Sequence, residues 1–255
     1  MTTAGLLPQQ EMMTLTPEDK LREELAGVIT WHARNHPRNL QKELGPSEVG
    51  HPCARKLVSH MIDAPTSNPG FDPLPSEIGI GYHARLQEHF DNENTRIGRQ
   101  RWLTEARVEP WPGLTGSCDL FDTDTGRVID WKILGDASYK KTSRKGPILS
   151  YQRQLQLYGR GYERQGYTVN EVALAVLPKA GTLAGIYVWI APYDPAVAEA
   201  MEARWVQLLT MADVMQVETH PERLAAFETA DENCQFCPWF NRTPVGPYQC
   251  AGHGN

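Results

Sequence analysis

The chain has 255 residues, 40% hydrophobic and 22% charged, which describes a globular protein, excludes a disordered one and allows one good core with appendages. Its net charge of −6 at pH 7 argues against indiscriminate coating of nucleic acid by the whole surface, while leaving room for a local basic groove. No apolar run reaches bilayer length and the N-terminus lacks the layout of a signal peptide. The protein is therefore expected in the cytoplasm, without a membrane partner and with its five cysteines reduced.

Residues 1–15 are polar, lack a clear period and read as a flexible tail. Thr16 and Pro17 form an N-cap and first helical position, and Leu21, Leu25, Val28 and His32 mark one face of a helix to about Asn35. A second helix carries Arg55, Leu57 and Met61, with Cys53 near its start. A Pro/Gly-rich loop from Ala64 to Pro75 delivers Ser76 as the cap of a third helix, where Ile78, Tyr82, Leu86 and Phe90 recur every four residues. Strands follow over about Trp102–Glu109, around Gly116–Phe121 and around Val128–Lys132. The run Asp122-Thr123-Asp124-Thr125-Gly126 is turn chemistry, so the last two strands form a hairpin. The run Tyr139–Lys145 holds four cations in seven residues and reads equally as a solvated loop or a phosphate-tracking segment. Beyond it come a helix over Ser150–Gly166, strands over Val172–Leu177 and Ile186–Ile190, and a helix from Pro195 to about Val217. This order predicts an α/β fold with a mixed central sheet. Residues 16–230 read as the core with its N-terminal helical segment, and 231–255 as a cysteine-rich tail.

Chemistry concentrates at the hairpin. Side chains alternate along a strand, so Asp130 and Lys132 point the same way, and the hairpin brings Asp119 towards them. Two carboxylates and a lysine suit a divalent cation beside a phosphate: the carboxylates and the Trp131 carbonyl as oxygen ligands, Lys132 polarising the attacking water. His83, beside the apolar stripe of the preceding helix, reads either as a packed or surface residue or as a candidate third protein ligand, whose imidazole would tilt the site from Mg²⁺ towards Mn²⁺.

The ordered set Gly79-x-x-x-His83, Gly116-x-x-Asp119, Asp130-x-Lys132 and Gln154-x-x-x-Tyr158 resembles the RecB-like branch of the PD-(D/E)xK nuclease superfamily, over roughly residues 76–160. The resemblance implies a restriction-endonuclease-like core. It also implies metal binding by His83, Asp119 and Asp130, catalytic assistance by Lys132, and a helix with Gln154 and Tyr158 flanking the site. The second acid is Asp130 where many members have Glu.

Cys53 in a Cys-x-Arg-Lys context, with Cys234, Cys237 and Cys250 near the C-terminus, resembles the iron–sulfur staple of AddB-type and CRISPR-associated RecB-like exonucleases. By that resemblance four thiolates hold a [4Fe–4S] cluster that pins the chain ends together. Spacing alone allows a rival: Cys234-x-x-Cys237 with Cys250-x-x-His253 fits a tetrahedral Zn²⁺ site that leaves Cys53 aside. Cys118 reads as a small core residue.

The expected function is a metal-dependent exonuclease acting on DNA ends, chiefly single-stranded, with Trp131, Tyr139, Tyr151 and Tyr158 available to stack unpaired bases. The relatives it resembles imply a place in recombination, replication or spacer acquisition, with recombination or CRISPR adaptation proteins as partners. A catalytically silent end-binding subunit and a metal-dependent endonuclease are the alternatives.

Overall fold

The computed structural model describes residues 16–35, 44–68 and 72–254. The expected tail over 1–15 lies outside the described residues. Two compact units divide the chain, Met1–Gln41 and Lys42–Asn255. In the first, α1 spans Pro17–Arg34. Thr16 Oγ1 accepts a hydrogen bond from Asp19 N at 3.1 Å, and acids in the first turn with His32 and Arg34 in the last complement the helix dipole.

The second unit opens with α2 (Pro46–Val49), α3 (Ala54–Met61) and α4 (Leu74–Ile97). Cys53 is the N-cap of α3, its Sγ accepting from Lys56 N. Helix α4 starts two residues before Ser76, which lies inside the first turn and hydrogen-bonds back to the Pro73 carbonyl. Pro73 and Pro75 explain the early start: their fixed φ suits a first turn whose N–H groups lack intrahelical partners anyway.

Five strands follow in a mixed sheet whose spatial order is the chain order: β1 (Trp102–Trp111), β2 (Leu114–Asp122), β3 (Arg127–Leu134), β4 (Glu171–Pro178) and β5 (Tyr187–Pro192). Among these five strands β3 and β4 pair in parallel and the other neighbours antiparallel. The crossover that a parallel pair requires contains α5 (Asp136–Lys145) and α6 (Leu149–Arg164), and α7 (Pro195–Val214) follows the sheet. The basic run is thus a helix and not a loop. Asp136 opens α5, Arg144 and Lys145 sit in its last turn, and Gly146 at φ +81° ends it. Strand β4 is buried from Val172 to Leu177 because neighbours flank it on both sides, whereas the edge strand β5 alternates.

Helix α6 lays Leu155, Tyr158 and Tyr162 against Val108, Phe121, Val128, Val172 and Leu174 to form the main core, with Phe121 stacked on Tyr162 at 4.2 Å. Helix α4 packs on β1, β2 and β3, where Phe90 meets Trp102 and Trp131. The β2–β3 turn is locked by Asp122, which is 2% exposed. Its carboxylate accepts two bonds from the Arg101 guanidinium, one from Asp124 N and one from the Thr125 hydroxyl. Gly126 closes this turn at φ +66°, where a Cβ would stand 2.5 Å from the Thr168 carbonyl oxygen.

Candidate active site

The site forms where the β2–β3 ladder ends. Those strands pair from Asp122–Arg127 to Leu120–Ile129, and Asp119 and Asp130 are the first residues past the last pair. Trp131 N instead donates to Asp119 Oδ2 at 2.7 Å. Strand β3 stays fixed because Asp130, Trp131 and Lys132 remain in register with Leu174, Ala175 and Val176 of β4. The carboxylates therefore sit at a fork whose two arms are each held by an outer neighbour, β2 by β1 and β3 by β4.

Helix α4 brings His83 to the fork, its Nδ1 3.3 Å from Asp119 Oδ1. Lys132 Nζ forms an ion pair with Asp130 Oδ2 and lies 5.1 Å from the Tyr151 ring centre, over its face. The Asp130 side chain is 2% exposed and that of Lys132 20%. Beyond this ion pair, Asp130 Oδ2 has no aligned hydrogen bond. The pair is thus a buried charge contact whose acidic end keeps acceptor capacity.

Protonation follows from burial and these contacts. Burial alone would lower the His83 pKa, but the Asp119 carboxylate outweighs it and holds the imidazole above its ordinary value. Burial would raise Asp119; His83, Lys132 and the Trp131 N–H together hold it below the usual carboxylate range. At Asp130 burial prevails over Lys132 and pushes the carboxyl up. Lys132 is raised, the two aspartates outweighing its own desolvation.

The expected residues are not all equally placed. His83, Asp119, Asp130 and Lys132 converge on the fork. Gln154 and Tyr158 are buried on α6, with Gln154 Nε2 donating to Tyr158 Oη at 2.9 Å. At 5% exposure Tyr158 offers no face to a base, which corrects the expected stacking role: it is core, packed beneath Cys118 and Leu174. Trp131 packs on Phe90, and the Tyr139 hydroxyl is bonded to the Gly185 carbonyl at 2.6 Å. Gly116 is needed for close approach, since a Cβ there would stand 2.6 Å from Pro46 Cδ and 3.4 Å from Tyr158. Cys118 is a fully buried core residue.

One acid escaped the sequence reading. Glu105 of β1 offers a carboxylate oxygen that, with donor atoms of His83 and Asp119, forms a group within 4.8 Å of one another. By strand alternation Glu105 shares a face with Arg107 and Glu109, so no local pattern distinguishes it from a solvated charge.

Cys53, Cys234, Cys237 and Cys250 line one small cavity, together with His51 and Lys56. A mononuclear tetrahedral site with bonds of about 2.3 Å would draw its thiolates to about 4 Å apart. Among the described residues no three of these sulfurs lie within 4.8 Å of one another. His253 lines a neighbouring pocket instead, with its Nδ1 3.4 Å from Thr229 Oγ1. The tail is also tied to the α3 region through protein groups. Arg55 donates to the Gln249 carbonyl at 2.6 Å, Trp239 Nε1 to the Ala64 carbonyl at 3.1 Å, and Asn68 to the Gln235 and Cys237 carbonyls.

No protein-family model matches the sequence, and no curated protein does. Among solved structures the chain is similar to an alkaline exonuclease (LHK-Exo) from Laribacter hongkongensis. The TM-score is 0.47 at 14% identity, over 72% of this chain and 94% of that one. The same enzyme in complex with dAMP gives 0.47 at 15% identity with the same coverage. A phage-related exonuclease from Haemophilus somnus 129PT gives 0.44 at 14%, over 65% of this chain and 82% of that one. No helix among the described residues is long and apolar enough to cross a membrane.

Proposed function

We propose that the protein is a divalent-metal-dependent deoxyribonuclease that degrades DNA from its ends, with a [4Fe–4S] cluster as a structural staple. The observation that carries the catalytic reading is the fork itself. Asp119, Asp130 and Lys132 meet where the ladder ends, with His83 reaching Asp119 from α4. This donor set of carboxylates and imidazole suits Mn²⁺ or Mg²⁺. A bound cation would polarise the scissile phosphate and acidify water there. The residues themselves supply the rest. His83 and Asp119 fix the ligand geometry, and Lys132 stands beside the carboxylates as a cation for the attacking water and the phosphate oxygens.

A single-strand preference is supported by Tyr82, which precedes His83 and is 38% exposed, so its ring is available to an unpaired base as that of Tyr158 is not. Exposed Lys141, Arg144 and Lys145 on α5 offer phosphate contacts. The staple reading is favoured by the four cysteines around one cavity and by the position of His253 outside it. Burial pushes the Cys237 thiol up, so filling that cavity must displace a proton.

The test is Mn²⁺-dependent digestion of an end-labelled single strand beside a closed circle of the same sequence, with Asp119→Asn as control. Loss of the linear strand alone is the expected result. Equal cutting of the circle would make the protein an endonuclease, and binding of ends without cutting would make it a silent end-binding subunit. Expected iron is about four atoms per chain in anaerobically purified protein; stoichiometric zinc instead would overturn the cluster.

A further inference from the structure

We propose that Glu105 is a ligand of the divalent cation, completing with His83 and Asp119 a donor triad on the β1 side of the fork, and that cation binding offsets the strain under which Glu105 is held. The inference rests on the metal-dependent reading above and adds a residue that no motif in the sequence assigns. The register places Glu105 opposite Asp119. Thr104 pairs with Leu120 and Ala106 with Cys118, so the residues between them face each other across β1 and β2. Ligand oxygens and nitrogens around Mn²⁺ or Mg²⁺, at bonds near 2.1 Å, lie at most about 4 Å apart. The present separation, within 4.8 Å, therefore needs only a small contraction to close on an ion.

The backbone supports the same assignment. Glu105 has φ +45°, in the left-handed region, although it is a non-glycine residue in the interior of a strand. No insertion accounts for this, because the β1–β2 pairing keeps the same offset on both sides of it. A conformation of this kind persists where surrounding structure enforces it, and such residues gather at binding sites. Here it accompanies a carboxylate placed beside a second one. Asp130, a third carboxylate at the fork, is buried and ion-paired through Oδ2 with Lys132. Three acids facing one imidazole and one ammonium leave negative charge that a divalent cation would neutralise.

Mn²⁺ titration by calorimetry, with thermal melts in the presence and absence of Mn²⁺, tests the triad without reference to cleavage. Glu105→Gln preserves size and should weaken Mn²⁺ affinity by about tenfold or more, since even outer-shell partners of metal ligands carry effects of 10–100-fold. Glu105→Gly also releases the left-handed strain, so its metal-free melting temperature should equal or exceed that of the wild type while its Mn²⁺-induced rise shrinks. If both variants bind Mn²⁺ as the wild type does while Asp119→Asn does not, Glu105 is no ligand and the rest of the site stands. If the wild type itself binds no Mn²⁺, the metal-dependent reading fails with it.

Discussion

The Asp130–Lys132 pair allows the structural role of these residues to be separated from their chemistry. Asp130→Asn leaves a largely buried ammonium facing an amide, and Lys132→Met leaves a carboxylate that is 2% exposed without its cation. Removing one member of a fully buried pair costs about 3–5 kcal/mol, whereas replacing both members with uncharged groups is often close to neutral. Lys132 keeps a fifth of its side-chain surface in solvent, so each single change should cost about 2–3 kcal/mol, below that range. The double variant should lie within about 1 kcal/mol of the wild type, giving a coupling energy of several kcal/mol, at or above the upper end of the usual range. For a chain of this size 1 kcal/mol moves the melting temperature by about 2–4 °C. The singles should therefore melt about 4–12 °C lower and the double nearly at the wild-type temperature. Urea or thermal unfolding at pH 7 without divalent cation measures this, while all three proteins should be inactive with Mn²⁺. Additive losses in the double variant would show that the two charges do not support each other and would refute the reasoning.

Further outcomes follow from individual contacts. Gly79 lies one turn before His83, and a Cβ there would meet nothing within 4 Å. Gly79→Ala should raise stability by up to about 1 kcal/mol through helix propensity while raising KM if substrate passes over that face; unchanged kinetics would place the substrate elsewhere. Burial would raise Asp122, but Arg101, Thr125 and the Asp124 N–H hold its carboxyl below the ordinary value. Its stabilisation is therefore complete above the unfolded pKa near 4 and is lost as pH falls through the lower folded value. Asp122→Asn should cost about 2 kcal/mol at pH 7 and flatten the acid limb of a stability–pH curve; an unchanged limb would assign acid unfolding to other groups. Cys53→Ala should lose iron and melt well below the wild type while His253→Ala keeps its metal, and the reverse pattern in metal analysis would favour zinc. Tyr82→Ala should weaken single-strand binding by roughly 1–3 kcal/mol with duplex binding unaffected, as read by fluorescence anisotropy.

The sequence by itself determined the elements and most of the site, because these rest on local periodicity and turn chemistry. Hydrophobic spacing marked α1, α4 and α6, and Asp122–Gly126 marked the hairpin whose register carries Asp119 and Asp130 to one fork. The α/β class with a mixed sheet follows from that order of elements. Helix α5 was missed because its lysines and arginine supply no apolar stripe; the acid at its start and Gly146 at its end were its only local signals. Tertiary structure alone decided the rest. It fixed where the β2–β3 ladder ends, which turns two strand acids into neighbours at the fork. It buried Tyr158 as core and set Gly116 as the point where Pro46 packs on the sheet. It also brought Glu105 opposite Asp119 and four cysteines from the two ends of the described chain around one cavity. These depend on contacts between residues far apart in sequence, and period and propensity carry no record of such pairings.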